Sequence, residues 1–296
     1  MQGVPELPDI LVYVDCLRPR IVGLPLERAR VAAPFLVRTV DPPLAAAEGR
    51  TVNAVRRVGK RVVLALDGGL FLVLHLMIAG RLHWKARDAP VPRRNGLAAF
   101  DFPTGSLLLT EAGSKRRASL HLVAGQDDLE RLDPGGLEVL EAPVERFAER
   151  LRAANHTLKR ALTDPRVFSG IGNAYSDEIL HAARLSPLQL TRNLEDEDVR
   201  RLHEAAVRVL RDWTQRLRKE AGDEFPEHVT AFREGMAVHG RFGKPCPVCG
   251  APVQRIVYAE NEANYCARCQ TQGRLLADRA LSRLLRDDWP RRLAEE

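Results

Sequence analysis

From Pro8, the stretch "PDILVYVDCLRPR" places Ile10, Val14 and Leu17 at helical spacing, with Pro8 and Asp9 at its start and Pro19 at its end. That pattern predicts one short helix leading out of the N-terminus. Between residues 26 and 123 the period changes: "RVVLALDGGLFLVLHL" and "LAAFDFPTGSLLLT" are pairs of apolar runs joined by glycine-containing turns. Such pairs predict hairpins, and hence an antiparallel sandwich or barrel. After "RLDPGGLEVL" the pattern turns helical, and Leu202, Ala206, Val209, Leu210, Trp213 and Leu217 fall on one face of a long helix beginning near "NLEDEDVRRL". The acidic residues at its start suit the helix dipole. Further on, "APVQRIVYAENEANY" suits two short strands around a polar turn near Glu260 to Glu262, and "RLLADRALSRLLRDDWPRRLAEE" reads as a final short helix stopped by Pro290.

The expected organisation is α+β and multidomain: a β-sandwich over residues 1–133, a helical domain over 134–225, a cysteine-bearing hairpin over 226–272 and a helical extension over 273–296. A chain of 296 residues has room for two or three compact units, and 45% hydrophobic with 28% charged residues excludes disorder and fibrous repeats. Lys and Arg number 45 against 39 Asp and Glu, which with a pI near 9.3 points weakly to a polyanionic partner. No apolar run reaches the roughly 20 residues of a membrane span and no Lys/Arg-led signal peptide opens the chain, so a cytoplasmic protein with no membrane partner is expected.

Four of the five cysteines lie in "CPVC" and "CARC", giving Cys246, Cys249, Cys266 and Cys269 as two close pairs separated by sixteen residues. Each pair can present two thiolates from a tight turn, and two turns joined by a hairpin complete a closed tetrahedral zinc site. Four sulfurs leave no open position, so the one expected Zn2+ shapes structure and performs no reaction. A second motif is "RVFSGIGNAYSDEILHAARLSP", where Gly170 and Gly172 flank a turn and Asn173 stands where a helix begins. Exposed N–H groups at a helix start bind anions such as a DNA phosphate, and Lys159 and Arg160 precede it.

Taken in series, "PELPD", "RRVGK", "HLMIAG", "GIGNAYSDE" and "GRFGKPCPVC…YCARCQ" resemble the formamidopyrimidine-DNA glycosylase and endonuclease VIII family in order and spacing, from Pro5 to about Gln270. The resemblance implies an N-terminal β-sandwich, a helix-two-turn-helix domain and a zinc-finger hairpin. It also implies a monomeric, nucleoid-associated enzyme that excises oxidised bases from damaged double-stranded DNA and cleaves the abasic strand. In that family an N-terminal proline amine attacks C1′ and forms a Schiff base. Carried over, Pro5 is the nucleophile, Glu6 the acid/base and Lys60 the lysine near the phosphate and the elimination chemistry. His75, Lys159 and Asn173 become phosphate contacts, and Ile78, with Met77 adjacent, the apolar wedge that fills the gap left by an extruded base.

Three segments depart from the family pattern. Where an Asp-Pro-Arg-Arg-Phe-Gly loop is usual, this chain has "TEAGSKRRASLHL"; Arg116 or Arg117 can replace the arginine, but no aromatic follows. At the family's zinc-hairpin arginine stands Asn261, and the segment before the finger lacks a Gly-Tyr-Phe loop. Above all, Pro5 is preceded by "MQGV", which makes its nitrogen a tertiary amide that cannot form an iminium. Translation beginning at codon 4, followed by methionine removal, would free it. If residues 1–4 are retained, the resemblance implies a damaged-DNA or abasic-site binder that does not cleave.

Overall fold

A computed structural model describes residues 3–113, 115–227, 229–230, 232–258, 261–276 and 292–293. The chain forms two compact units, one of residues 1–134 with 213–231 and one of residues 135–212 with 232–296.

The first unit opens with α1 (Leu7–Ile21), which buries Leu7, Ile10, Val14, Leu17 and Ile21. The helix does not stop at Pro19 as expected but runs two residues past it. Proline removes one N–H and crowds the preceding turn; at the end of a helix that is tolerable, and Arg20 Nη1 donates to the Cys16 carbonyl at 2.6 Å. The strands that follow are β1 (Arg28–Val31), β2 (Val52–Val58), β3 (Arg61–Leu66), β4 (Leu70–His75), β5 (Gly80–Lys85), β6 (Gly96–Phe102), β7 (Gly105–Glu111) and β8 (Ser119–Ala124). They make two four-stranded antiparallel sheets, β1-β6-β7-β5 and β2-β3-β4-β8, the β-sandwich predicted from the hairpin pattern. In the second sheet Val62, Leu64, Leu72, Leu74, Leu120 and Leu122 are fully buried on one face. The other face carries Val63, Val73 and Val123, packed with Leu129 of α2 (Gly125–Glu130).

In the second unit, α3 (Val144–Arg152), α4 (Leu158–Thr163) and α5 (Asn173–Ala182) precede α6 (Asp196–Ala221), the long helix predicted. Leu202, Ala206, Leu210, Trp213 and Leu217 of that helix are buried, as its apolar stripe requires. The helix belongs to both units: from Trp213 onward it, and the segment that follows to residue 231, group with the β-sandwich. His83 on β5 binds that segment through Glu227, Nδ1 to Oε2 at 2.7 Å, and Arg81 donates to the Val229 carbonyl. The remaining helices and the cysteine hairpin cluster as the other compact unit.

That hairpin is β9 (Val253–Tyr258) paired antiparallel with β10 (Asn261–Cys266), followed by α7 (Ala267–Thr271). Glu262, expected in the turn, is a strand residue opposite Val257. The final helix expected before Pro290 lies outside the described residues.

Candidate active site and nucleic-acid interface

Pro5 and Glu6 stand at the start of α1, where a carboxylate is favoured by the helix dipole. Both are buried, Glu6 to 2% exposure, and Asp9 closes a capping box by accepting the Glu6 N–H at 2.8 Å. Upstream, the Gly3 carbonyl accepts from Arg81 Nη2 at 3.0 Å.

Lys60 follows Gly59 in the β2–β3 turn, and Gly59 has the positive φ, +57°, that such a turn requires. His75 ends β4, directly opposite Arg61 in the register. Burial, reinforced by the charges of Arg61 and Lys60, pushes its pKa down to about 4. The imidazole is thus neutral near pH 7 and offers a hydrogen bond without a charge. A titration follows with a definite sign. The unfolded histidine takes up its proton near pH 6.5 while the folded one refuses it to about 4, so stability is lost as pH falls through that window. The span corresponds to about 3 kcal/mol. Urea melts at a series of pH values should show His75→Gln with a shallower acid limb than the unaltered protein.

After His75 the chain turns sharply. Gly80 N–H bonds the Leu76 carbonyl at 2.9 Å, and a Cβ at Gly80 would lie 2.1 Å from that oxygen, so only glycine closes the turn. Met77 is held at φ +52°, and Ile78 projects, 39% exposed. In the loop between β7 and β8, Arg116 is exposed and its Nη2 donates to the Arg94 carbonyl at 2.7 Å.

In the second unit, Gly170 has φ +79° and Gly172 caps α5. Asn173 Nδ2 donates to the Glu262 carbonyl at 2.9 Å, so this side chain ties the helix start to β10. Lys159 is held by groups of α5. Its ammonium is turned inward, donating to the Asn173 carbonyl at 2.7 Å and to Asp177 Oδ1 at 2.6 Å, with side-chain exposures of 12% and 0%. A buried carboxylate holds a charge only with a partner, and Lys159 supplies it. Nothing local in the sequence marks Asp177 as its partner.

Further residues that sequence reading missed lie on the same helix. Glu178 accepts three backbone N–H groups, from Ala237 at 2.7 Å and from Val238 and His239 at 2.9 Å each. Asp177 also pairs with His239 Nδ1 at 2.8 Å, and His181 Nε2 reaches Cys246 Sγ at 3.3 Å. Asn173, Asp177 and His181 recur every four residues, the one signal in the sequence that these groups share a helix face.

The sulfur atoms of Cys246, Cys249, Cys266 and Cys269 all lie within 4.8 Å of one another, with Cys249–Cys266 at 3.4 Å and Cys246–Cys269 at 4.0 Å. A tetrahedral Zn2+ with sulfurs at about 2.3 Å needs them about 3.8 Å apart, so the set fits the ion. Burial pushes the Cys266 thiol up to about 11 and raises Cys269 as well, whereas hydrogen bonds lower Cys249 against its burial; a bound cation would favour the thiolate form.

A β-sandwich with a helix at its head, a glycine-turned helix start and a closed four-sulfur hairpin define a multidomain protein of the zinc-finger class. Comparison with known proteins makes this specific. Residues 4–117 match the formamidopyrimidine-DNA glycosylase N-terminal domain, residues 136–219 the formamidopyrimidine-DNA glycosylase H2TH domain, and residues 243–272 a zinc finger found in that glycosylase and in IleRS. A formamidopyrimidine-DNA glycosylase of Thermus thermophilus is 33% identical over 283 residues, covering 91% of this chain and 100% of that one. A crystal structure of a Thermus thermophilus Fpg superposes with a TM-score of 0.75 at 33% identity over 90% of this chain and 98% of that one. The fold also matches a Lactococcus lactis Fpg in complex with DNA containing an abasic site, at TM-score 0.78, 23% identity, and 90% and 99% coverage. The chain belongs to the formamidopyrimidine-DNA glycosylase family, and its four cysteines hold one structural Zn2+.

Proposed function

We propose that the protein is a bifunctional base-excision-repair enzyme, which removes oxidised bases from duplex DNA and cleaves the resulting abasic strand, with the Pro5 nitrogen as nucleophile. The observation that carries this reading is the end-to-end similarity to a formamidopyrimidine-DNA glycosylase, with Pro5 and Glu6 at the head of α1. The freed amine attacks C1′ of the damaged nucleotide, the glycosidic bond breaks, and the base leaves with its electron pair and a proton. The ring-opened sugar remains on Pro5 as an iminium. Withdrawal of electrons into that iminium acidifies C2′; loss of its proton forms the C2′–C3′ double bond as the 3′ phosphate leaves. Glu6 handles the protons of ring opening, and Lys60 steadies the phosphate that departs.

Around that centre His75 and Asn173 contact backbone phosphates, Ile78 fills the space of the extruded base, and Arg116 reaches the opposite strand. Ile78 is suited to this by its exposure on a glycine-closed turn. The enzyme acts as a monomer at the nucleoid. The described residues contain no helix long and apolar enough to cross a membrane.

The test uses a duplex carrying an oxidised base and a second carrying an abasic site. Base release from the first and a borohydride-trapped covalent adduct on the second are expected; absence of both sinks the proposal. A binding-only role is the second reading, favoured by one observation: Pro5 as written is an amide beneath a tethered Gly3. The β-elimination product should accumulate, because Asn261 cannot place a cation on the second phosphate. Gel resolution of the abasic products checks this, and complete conversion to the β,δ product would count against it.

A further inference from the structure

The sheet β2-β3-β4-β8 has one face that the mechanism above uses only at its edge. Its register aligns Val58, Arg61, His75 and Ser119 in one row and Arg56, Val63, Val73 and His121 in the next. Residues directly opposite in an antiparallel pair share a face, so Arg61, His75 and His121 lie together on the side that α2 covers farther along. Arg38 joins them where its backbone N–H bonds the Leu120 carbonyl at 2.9 Å.

The charge at this end of the sheet is one-sided. Arg61 is half-buried, and its pKa is lowered by that burial, with the charge of Asp133 acting the other way. Burial also lowers both histidines, with Arg61 adding to the effect on each. Among the described residues, the side chains of Arg38, Arg61, His75 and His121 have no hydrogen-bond or ion-pair partner. A half-buried guanidinium with no hydrogen-bonded carboxylate is costly, and an anion that completes it lowers that cost. The planar fork of arginine matches two oxygens of a phosphate, and neutral imidazoles supply N–H donors without repelling the cation beside them.

We propose that Arg61 and His121, with His75, form a phosphate seat that takes a backbone phosphodiester of the bound duplex. The seat adjoins Lys60 in sequence and extends the DNA contact along β3 and β8, onto residues that the glycosylase chemistry does not use. The inference rests on the functional reading above, in that the anion is a DNA phosphate. A free inorganic phosphate offers the same chemistry, and the experiment separates the two.

The measurement is equilibrium binding to a duplex with an uncleavable tetrahydrofuran abasic analogue over a range of salt concentrations, using the full chain with its zinc. Neutralising a group that displaces one counterion lowers the slope of log affinity against log salt by about 0.9. R61M should show that loss and about tenfold weaker binding at fixed salt, whereas R61K should keep the slope. H121F should weaken binding with the slope unchanged, since it removes a donor and no charge. Circular dichroism and zinc content identify any variant that fails to fold, and H121F then carries the test. A wild-type slope and affinity in folded R61M, or in H121F if R61M misfolds, would overturn the assignment alone. Absence of duplex binding by the unaltered protein overturns it together with the glycosylase reading. Competition by inorganic phosphate at concentrations that leave the ionic strength unchanged would assign the seat to small anions and overturn it as a DNA contact.

Discussion

Protein made from codon 4, with methionine in place of Val4 and then removed, is expected to form a borohydride-stable adduct with an abasic duplex, while protein that keeps Met1 to Val4 forms none. The difference should exceed about a thousandfold, because a different chemical species meets the sugar in each case. In the longer protein the Pro5 lone pair is delocalised into the Val4 carbonyl, and an amide nitrogen cannot become an iminium. In the shorter one it is a secondary amine, nucleophilic and able to hold the electrons of the elimination. The surroundings are ready for either form: Pro5 and Glu6 are buried at the helix start, and the tether on the segment before them is the Arg81 contact to the Gly3 carbonyl. Mass spectrometry of the trapped peptide locates the amine. An adduct on the N-terminal peptide, undiminished in Lys60→Ala, supports the assignment. An adduct on the Lys60 peptide, or an active protein with Met1 to Val4 intact, would sink it.

The parts of this molecule that were legible in the sequence are those whose cause is local. The paired apolar runs and glycine turn of "RVVLALDGGLFLVLHL" specified β3 and β4, and the two close cysteine pairs specified a four-sulfur site, because such runs and turn geometry act over a few residues. The head of α1 was visible for the same reason, whereas its end past Pro19 was not: the last turn is held by Arg20, whose reach to the Cys16 carbonyl no propensity encodes. Long-range pairing was invisible throughout. Glu178 secures backbone N–H groups about 60 positions later, and Glu227 reaches His83 across 144. Such contacts decide which unit a segment joins, so the return of residues 213–231 to the β-sandwich had no local signature. The site followed the same rule. Pro5, Glu6 and Asn173 are proposed from motifs, but whether a lysine faces DNA or the core depends on a partner elsewhere.

Lys159 tests that distinction directly. Replacing it by methionine should destabilise the unit by about 3 to 5 kcal/mol, the cost of leaving a buried carboxylate without its cation. Asp177 is fully buried, and its other partner is His239 Nδ1 at 2.8 Å. Asp177→Asn should cost a comparable amount by stranding the ammonium beside the Asn173 carbonyl. The double variant should lose less than the sum of the two, because each single change already removes the pair. Denaturant melts of the four proteins give the coupling energy. A phosphate-gripping Lys159 predicts the reverse signature: near-normal stability, and a salt slope for duplex binding reduced by about 0.9. The buried pair also fixes the start of α5, so Lys159→Met should weaken DNA binding only indirectly. Asn173 loses its anchor against the Glu262 carbonyl as the helix start loosens, and affinity falls while the number of counterions released stays the same. An unchanged melt with a reduced slope would return Lys159 to the DNA surface.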